Sequence, residues 1–187
     1  MIRLVVALGN PDRQYLKTRH NIAWQFIEYL SFYSNLDWQK KFKGDYAARR
    51  FSGEMIYFLK PQTYMNRSGE SVQALMQFYK VLPEEMLVIH DDLELNFGEV
   101  GFKKGGGVAG HNGLRSIVAS AGAGDFYRFR LGISRPDHGN VTAWVLGNFS
   151  GDETIRLSGY LKKAAAIFED HFTGNLETLS AKTRCIQ

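Results

Sequence analysis

The residues best suited to acid–base chemistry in this sequence are a histidine and an aspartate that stand far apart along the chain. His20 precedes a predicted helix, and Asp91 closes a predicted strand. A carboxylate that accepts a hydrogen bond from an imidazole fixes the ring's tautomer and stabilises the imidazolium that forms when water gives up a proton. Asn10, Asn66 and Asn112 stand at other element boundaries, where neutral amides can hold a carbonyl or an oxyanion. The pattern favours a general base that activates water.

Two other interpretations of these residues stay open at this point. A histidine beside a helix is often satisfied by the backbone alone, which would leave His20 without a chemical role. The run His90, Asp91 and Asp92 offers three potential metal ligands. Adjacent residues on a strand point to opposite faces, which argues against one ion shared by all three. We therefore expect no metal at the site.

A glycine-rich stretch needs separate weighing because it matches the dinucleotide-binding pattern G-x-G-x-x-G. The match covers Gly105 to Gly110 and precedes a predicted helix. In dinucleotide-binding proteins this pattern occupies the first strand-to-helix turn, which here is Gly9-Asn10-Pro11. The pattern therefore favours a flexible loop over a nucleotide-dependent oxidoreductase. Patterns typical of P-loops, zincins, nucleophile-elbow hydrolases and C-x-x-C sites are absent from the sequence.

Strand and helix patterns alternate along the chain and would bring these polar groups to element ends. The continuous apolar run at 2–8 predicts a buried central strand. Ser150 and Glu153 have the spacing of a capping box at the start of a long helix. The sequence predicts an α/β fold, a single-domain sandwich over residues 1–187 with a mixed, mostly parallel central sheet flanked by helices. The predicted strands are 2–8, 45–52, 55–60, 86–89 and 126–134, and the predicted helices are 22–33, 72–79, 114–121 and 150–172.

Composition sets limits on location and redox chemistry. The 187 residues contain one cysteine, Cys185, which excludes a disulfide framework and a thiolate metal cluster. The longest apolar runs have five residues, whereas a membrane span needs about 20 and a signal peptide about 7 to 15. We therefore expect a cytoplasmic protein that does not associate with membranes.

Charge is unevenly distributed. The formal net charge is +4, and residues 101–140 alone carry four more Lys and Arg than Asp and Glu. The stretch just before, 84–99, holds six acidic residues and no basic ones. A mixed solvated surface would explain this distribution, and so would a phosphate-rich partner over the basic window.

Several groups of residues have the order and spacing of a known family. In them the chain resembles bacterial peptidyl-tRNA hydrolases from residue 2 to about residue 172. The groups are Gly9-Asn10-Pro11 with Tyr15, Thr18-Arg19-His20-Asn21, Lys60-Pro61 with Thr63-Tyr64-Met65-Asn66, His90-Asp91-Asp92-Leu93, and Lys103-Lys104-Gly105-Gly106-Gly107 with Gly110-His111-Asn112-Gly113-Leu114.

The resemblance implies a metal-independent enzyme that needs no cofactor. It would hydrolyse the ester between a peptide and the 3′ ribose of tRNA, and so recycle tRNA from stalled or aborted translation. It would act as a monomer without an obligate protein partner. By the same resemblance, His20 is the general base and Asp91 keeps it basic. Asn10 resembles the position that distinguishes a blocked α-amino group from a free one.

The resemblance also suggests which residues bind substrate. Lys103 and Arg130 match positions that contact acceptor-stem phosphates. The chain departs from the family pattern at Asp12, Glu94, Gly101 and residues 135–139. A non-catalytic RNA-binding protein on the same fold would keep the basic window but could lose His20 or Asp91, and both are present. The residues that match cleft-lining positions are Tyr15, Tyr64, Met65, Asn66, His111 and Asn112.

Overall fold

The computed structural model describes residues 1–122, 124–172 and 182–184. In this part of the chain, eight strands form one sheet in the order β2-β3-β4-β1-β5-β7-β6-β8. The four central strands, β4, β1, β5 and β7, are parallel, and antiparallel strands complete both edges. The strands are β1 (Leu4–Ala7), β2 (Gln39–Lys41), β3 (Gly44–Phe51), β4 (Glu54–Pro61), β5 (Met86–Asp92), β6 (Glu99–Lys104), β7 (Tyr127–Gly132) and β8 (Lys182–Arg184).

Helices cover both faces of the sheet, as predicted for a parallel centre. Alternate residues of the central strands face opposite layers: Val5 and Ile89 belong to the core beneath α1 and α5, whereas Val6 and Val88 belong to the core beneath α2 and α3. This two-sided burial explains the unbroken apolar run at the start of the chain. The helices are α1 (Ile22–Ile27), α2 (Ser68–Tyr79), α3 (Asn112–Ala121), α4 (Val141–Leu146) and α5 (Gly151–Phe172).

Most predicted elements are confirmed, with one clear error. The hairpin, the capping box at Ser150 and Glu153, and the left-handed Gly122 after α3 are present. The predicted helix at 22–33 is wrong in length, because α1 ends at Ile27. The Ser31 backbone N–H donates to the Glu169 carboxylate instead of continuing the helical ladder. The sequence did not predict strands β2, β6 and β8 or helix α4.

No helix in the described ranges is both long and apolar enough to cross a membrane.

One residue of the central strand β5, His90, is a histidine buried in the protein core. His90 is 3% exposed, its Nδ1–H donates to the Asp91 carbonyl oxygen at 2.7 Å, and its buried Nε2 has no hydrogen-bond partner in the described part of the chain. Its ring packs edge-on against His111, and Arg130 is its cross-strand neighbour on β7. Burial, and then the nearby imidazole of His111, lower the pKa of His90 to about 3, although Asp92 and Asp91 act in the opposite direction.

This lowered pKa predicts a pH-dependent stability. Below pH 6.5 the unfolded chain binds a proton at His90 that the folded chain does not, so the free energy of unfolding falls as the pH falls from about 6.5 toward 3. His90 alone would remove about 2 kcal/mol between pH 7 and pH 5. The replacement His90→Asn retains a donor for the Asp91 carbonyl and removes this loss of stability. Urea unfolding at pH 7 and at pH 5 measures the free energy of unfolding of both proteins.

The exposed His138 provides the matched control. The variant His138→Asn should keep the wild-type difference between pH 7 and pH 5. A His90→Asn variant that loses as much stability as the wild type over this interval would contradict the prediction.

Candidate active site

The eleven candidate site residues line one cleft of about 740 Å³. The cleft opens at the carboxyl ends of β1, β4 and β5, where open α/β sheets place their binding sites. The segments that follow these strands therefore meet there, although they are distant in sequence. The eleven residues are Asn10, Tyr15, His20, Tyr64, Met65, Asn66, Asp91, Lys103, His111, Asn112 and Arg130.

The centre of the cleft is an imidazole held by a buried carboxylate. His20 lies on a single 3-10 turn, Arg19–Asn21, and its Nδ1 is 2.8 Å from Oδ1 and 3.0 Å from Oδ2 of Asp91. Because a carboxylate only accepts, Nδ1 carries the proton. In the neutral ring, Nε2 then keeps its lone pair, and no described residue forms a hydrogen bond with it. A nitrogen in this state can accept a proton from a group in the cleft.

A second histidine binds the same carboxylate in the opposite tautomer. His111 caps α3, since its Nδ1 accepts from the backbone N–H groups of Gly113 at 3.1 Å and Leu114 at 3.4 Å. Its proton therefore lies on Nε2, which donates to Asp91 Oδ1 at 2.9 Å. His111 thus presents a donor to Asp91 and has no free basic nitrogen.

Asp91 stays ionised in this environment. Its burial opposes the charge, but the adjacent imidazoles of His20 and His111 outweigh that effect and hold the pKa of the carboxyl far below its usual value. A carboxylate at 2% exposure can persist only with such donors. The site therefore carries a fixed negative charge next to His20.

Asn10 is oriented by two flanking segments. Its backbone N–H donates to the side-chain oxygen of Asn21, and the Asn21 amide donates to the Asn10 carbonyl oxygen, each at 2.9 Å. Asn10 Oδ1 accepts from the Met65 backbone N–H at 2.8 Å. This bond fixes which way the amide points, so the Asn10 side-chain NH₂ is the group turned away from Met65.

Arg19 anchors the segment that carries His20. Its guanidinium donates to the Asn148 carbonyl oxygen and to Glu153, both at 2.6 Å, and stacks 3.7 Å over Trp144. The ion pair with Glu153 is mostly buried. The turn that carries His20 is thereby attached to α4 and to the start of α5.

The outer rim of the cleft is polar and more exposed. The hydroxyl of Tyr64 donates to Asp12 at 2.7 Å, and this bond raises the pKa of the tyrosine. Asp12 is one of the departures from the family pattern. Asn66 and Asn112 are exposed, and Asn112 Oδ1 accepts from Arg115 at 3.3 Å.

The two predicted phosphate-binding residues lie on adjacent strands, with Arg130 two residues along β7 from Arg128, the cross-strand partner of Lys103. Arg130 Nε donates to Asp92 at 2.7 Å, so Arg130 forms an ion pair with an acidic neighbour. Its remaining guanidinium nitrogens have no partner among the described residues. Lys103 is exposed and forms no ion pair in the described ranges. At Gly101, beside Arg130, there is room for a side chain.

One group of side chains in the site could hold a metal ion. His20, Asp91 and His111 each offer one ligand atom, and the three atoms lie within 4.8 Å of one another. These same atoms bind one another through two hydrogen bonds, which an ion would have to replace. The expected independence from metals therefore remains a prediction.

Sequence reasoning missed several residues of the site. Nothing in the sequence marks Asn21 as the residue that holds the Asn10 backbone. An apolar wall formed by Val141, Val145 and Leu146 belongs to the unpredicted helix α4. The only signal for that wall was a short run of apolar residues after the glycine at 139. Arg135, in the 135–139 segment that departs from the family pattern, forms an ion pair with Glu94 on the surface.

The chain is similar to known proteins over most of its length. The family model described as "Peptidyl-tRNA hydrolase" matches residues 4–185. A peptidyl-tRNA hydrolase of Geotalea daltonii is 44% identical over 169 residues, which cover 90% of this chain and 88% of the relative. One from Neisseria gonorrhoeae is 41% identical, with 94% of this chain and 93% of the relative covered.

Solved structures give the same result. The crystal structure of the Arg119Gln mutant of the Acinetobacter baumannii peptidyl-tRNA hydrolase superposes with a TM-score of 0.86 and 36% identity, covering 95% of this chain and 91% of that chain. Another crystal structure of the A. baumannii protein gives 0.82 and 37% identity, covering 90% and 87%. The family match over nearly the whole sequence and the likeness in fold lead to one conclusion: this chain belongs to the peptidyl-tRNA hydrolase family.

Proposed function

We propose that this protein hydrolyses peptidyl-tRNA, releasing the peptide and free tRNA, with His20 as the general base. The observation that carries the proposal is the bond from His20 Nδ1 to Asp91, which leaves a basic nitrogen free beside a cleft large enough for an acyl group and a nucleotide. Family membership supports the substrate class.

In this mechanism His20 Nε2 removes a proton from a water molecule as the oxygen attacks the ester carbonyl. The imidazolium that forms is stabilised by the ionised Asp91. The tetrahedral oxyanion is held by side-chain amides, which donate hydrogen bonds without competing for the proton. Collapse of the intermediate breaks the bond to the 3′ oxygen, which takes a proton back from His20.

Asn10 distinguishes a blocked α-amino group from a free one. Since its Oδ1 is engaged by Met65, the side-chain NH₂ is the group available to substrate. The carbonyl of a peptide bond accepts from this NH₂, whereas a free aminoacyl group presents an ammonium that repels a donor. The orientation of the amide therefore favours contact with the peptide carbonyl.

The acceptor stem of the tRNA binds over Lys103 and the free edge of the Arg130 guanidinium. Tyr15, Tyr64, Asn66 and Asn112 contact the 3′ end and the acyl group, because they surround the cleft. Every group invoked comes from one chain, so the proposal includes a monomeric enzyme. It works where translation takes place, in the cytoplasm.

The first functional prediction concerns His20. Replacement by alanine should lower kcat for an N-acetylaminoacyl-tRNA by about 10² to 10⁴, the usual loss for a general base. Replacement Asp91→Asn should act more mildly, since the amide still orients the ring but no longer offsets its positive charge. Release of free tRNA is the measurement, with His138→Ala as the control for loss of an exposed histidine.

The same assay in excess chelator tests independence from metals, with magnesium restored separately to fold the tRNA. A His20→Ala variant that keeps wild-type kcat would remove His20 from the mechanism. Activity that is lost on chelation and restored by zinc would indicate a metal-assisted reaction in place of the proposed mechanism. Binding of tRNA without hydrolysis in the wild type would indicate a non-catalytic RNA-binding protein.

The second functional prediction concerns affinity for the acceptor stem. Lys103→Ala and Arg130→Ala should each raise KM with little change in kcat, because they remove uniform binding. Each should also flatten the slope of log affinity against log salt by about 0.7 to 0.9. Lys104→Ala is the matched control, because Lys104 lies over the Tyr127 ring and outside the cleft.

The same experiment distinguishes phosphate binding by Arg130 from a second role, the neutralisation of Asp92. If Arg130 serves only to neutralise Asp92, Arg130→Ala will lower the melting temperature and leave the salt slope unchanged. That pair of results would exclude the phosphate contact at Arg130 and leave the assignment to Lys103.

A further inference from the structure

Three cationic side chains lie on one face of the sheet beside the cleft, and one of them is buried. Lys103 and Arg128 are paired across β6 and β7, and Arg130 lies two residues further along β7. Lys103 is exposed and Arg130 partly so, whereas Arg128 is 3% exposed. Burial, together with the charge of Arg130, lowers the pKa of Arg128.

Arg128 has no carboxylate partner among the described residues. Its Nη1 donates to the Gly107 carbonyl oxygen at 2.8 Å and its Nη2 to the Gly106 carbonyl oxygen at 2.7 Å. Its guanidinium lies 5.0 Å over the Phe126 ring, and its buried Nε has no partner. A buried cation needs strong acceptors, and here these are two successive backbone carbonyls. Both arms of the guanidinium point into the loop.

Few other hydrogen bonds fix the backbone of the loop that receives these bonds, although its Val108 side chain packs against the core beneath α2 and α3. Gly105, Gly106, Ala109 and Gly110 all have positive φ values. At the loop's two ends, the Gly105 N–H donates to Phe126 at 2.9 Å and the His111 N–H to Val108 at 2.8 Å. Between these two bonds, the described hydrogen bonds to the loop backbone are those from Arg128.

The loop leads directly to the centre of the site. It lines the cleft from Gly107 to Gly110 and continues into His111, which binds Asp91, and Asn112 at the start of α3. A shift of the loop would therefore move the donor that His111 gives to Asp91. Lys103 lies over its outer side, because a Cβ at Gly106 would be 2.7 Å from Lys103 Cε.

We propose that Arg128 is a positioning residue: its guanidinium fixes the glycine-rich loop, Gly105–Gly110, and through it His111 and Asn112, and does not bind tRNA phosphate. The inference rests on the proposed function for its kinetic consequences only. The structural part, that Arg128 determines the order of the loop, is independent of any activity.

Two variants test it. Arg128→Lys keeps the charge but cannot donate to both carbonyls, and Arg128→Met keeps the length and removes every donor. The control is Lys104→Gln, which removes a positive charge from the same strand pair without touching the loop. The first readout is the ¹⁵N order parameter of residues 106–110, expected to be about 0.85 in the wild type and the control and below about 0.6 in Arg128→Lys.

The second readout compares two substrates, an N-acetylaminoacyl-tRNA and a minimal N-acetylaminoacyl-adenosine. Arg128→Lys should lower kcat/KM about tenfold for both and leave the salt slope unchanged, in contrast to Lys103→Ala. Unchanged order parameters would overturn the proposal. So would a loss confined to the full tRNA with a flatter salt slope, which would make Arg128 a phosphate contact.

The order parameters keep the test decisive in two other cases. If Arg128→Met does not fold, Arg128→Lys alone decides the outcome. If the wild type hydrolyses neither substrate, the proposed function fails, while the order parameters still decide whether Arg128 fixes the loop.

Discussion

A carboxylate removed from water must receive hydrogen bonds, and the arrangement around Asp91 follows from this requirement. The two donors come from imidazoles on different segments, His20 on the turn before α1 and His111 at the start of α3. Each ring uses its other nitrogen differently: His111 caps a helix, and His20 faces the cleft. One buried charge thus fixes two tautomers and joins three elements.

The remaining contacts form a ring around that charge. Asn21, next to His20, holds the backbone of Asn10, and Asn10 holds Met65. Met65 packs so closely on α3 that a Cβ at Gly113 would lie 2.5 Å from its sulfur. The ring closes through His111 and Asp91. Because each member is held by its neighbours, the cleft is preorganised, which is what electrostatic stabilisation of a transition state needs.

The sequence predicted the parallel centre of the fold because continuous apolar runs such as that of β1 have few other interpretations. It also predicted which polar groups meet, since strand ends share one edge of the sheet. It could not predict features that depend on contacts between residues far apart in the sequence. After α1 ends at Ile27, the Ser31 N–H donates to the Glu169 carboxylate, 138 residues further along the chain. The Arg128 guanidinium donates to two backbone carbonyls that have no sequence signature. The orientation of the Asn10 amide is likewise set by Met65.

The central claim is that Asp91 holds two histidines in opposite tautomers, leaving Nε2 of His20 basic. Imidazole ¹⁵N NMR spectra of the ¹⁵N-histidine-labelled protein at pH 8 test it directly, with assignments from His20→Gln and His111→Asn. The account predicts a proton on Nδ1 of His20 and on Nε2 of His111. A neutral His20 ring protonated on Nε2 would contradict it, because no basic nitrogen would then face the cleft.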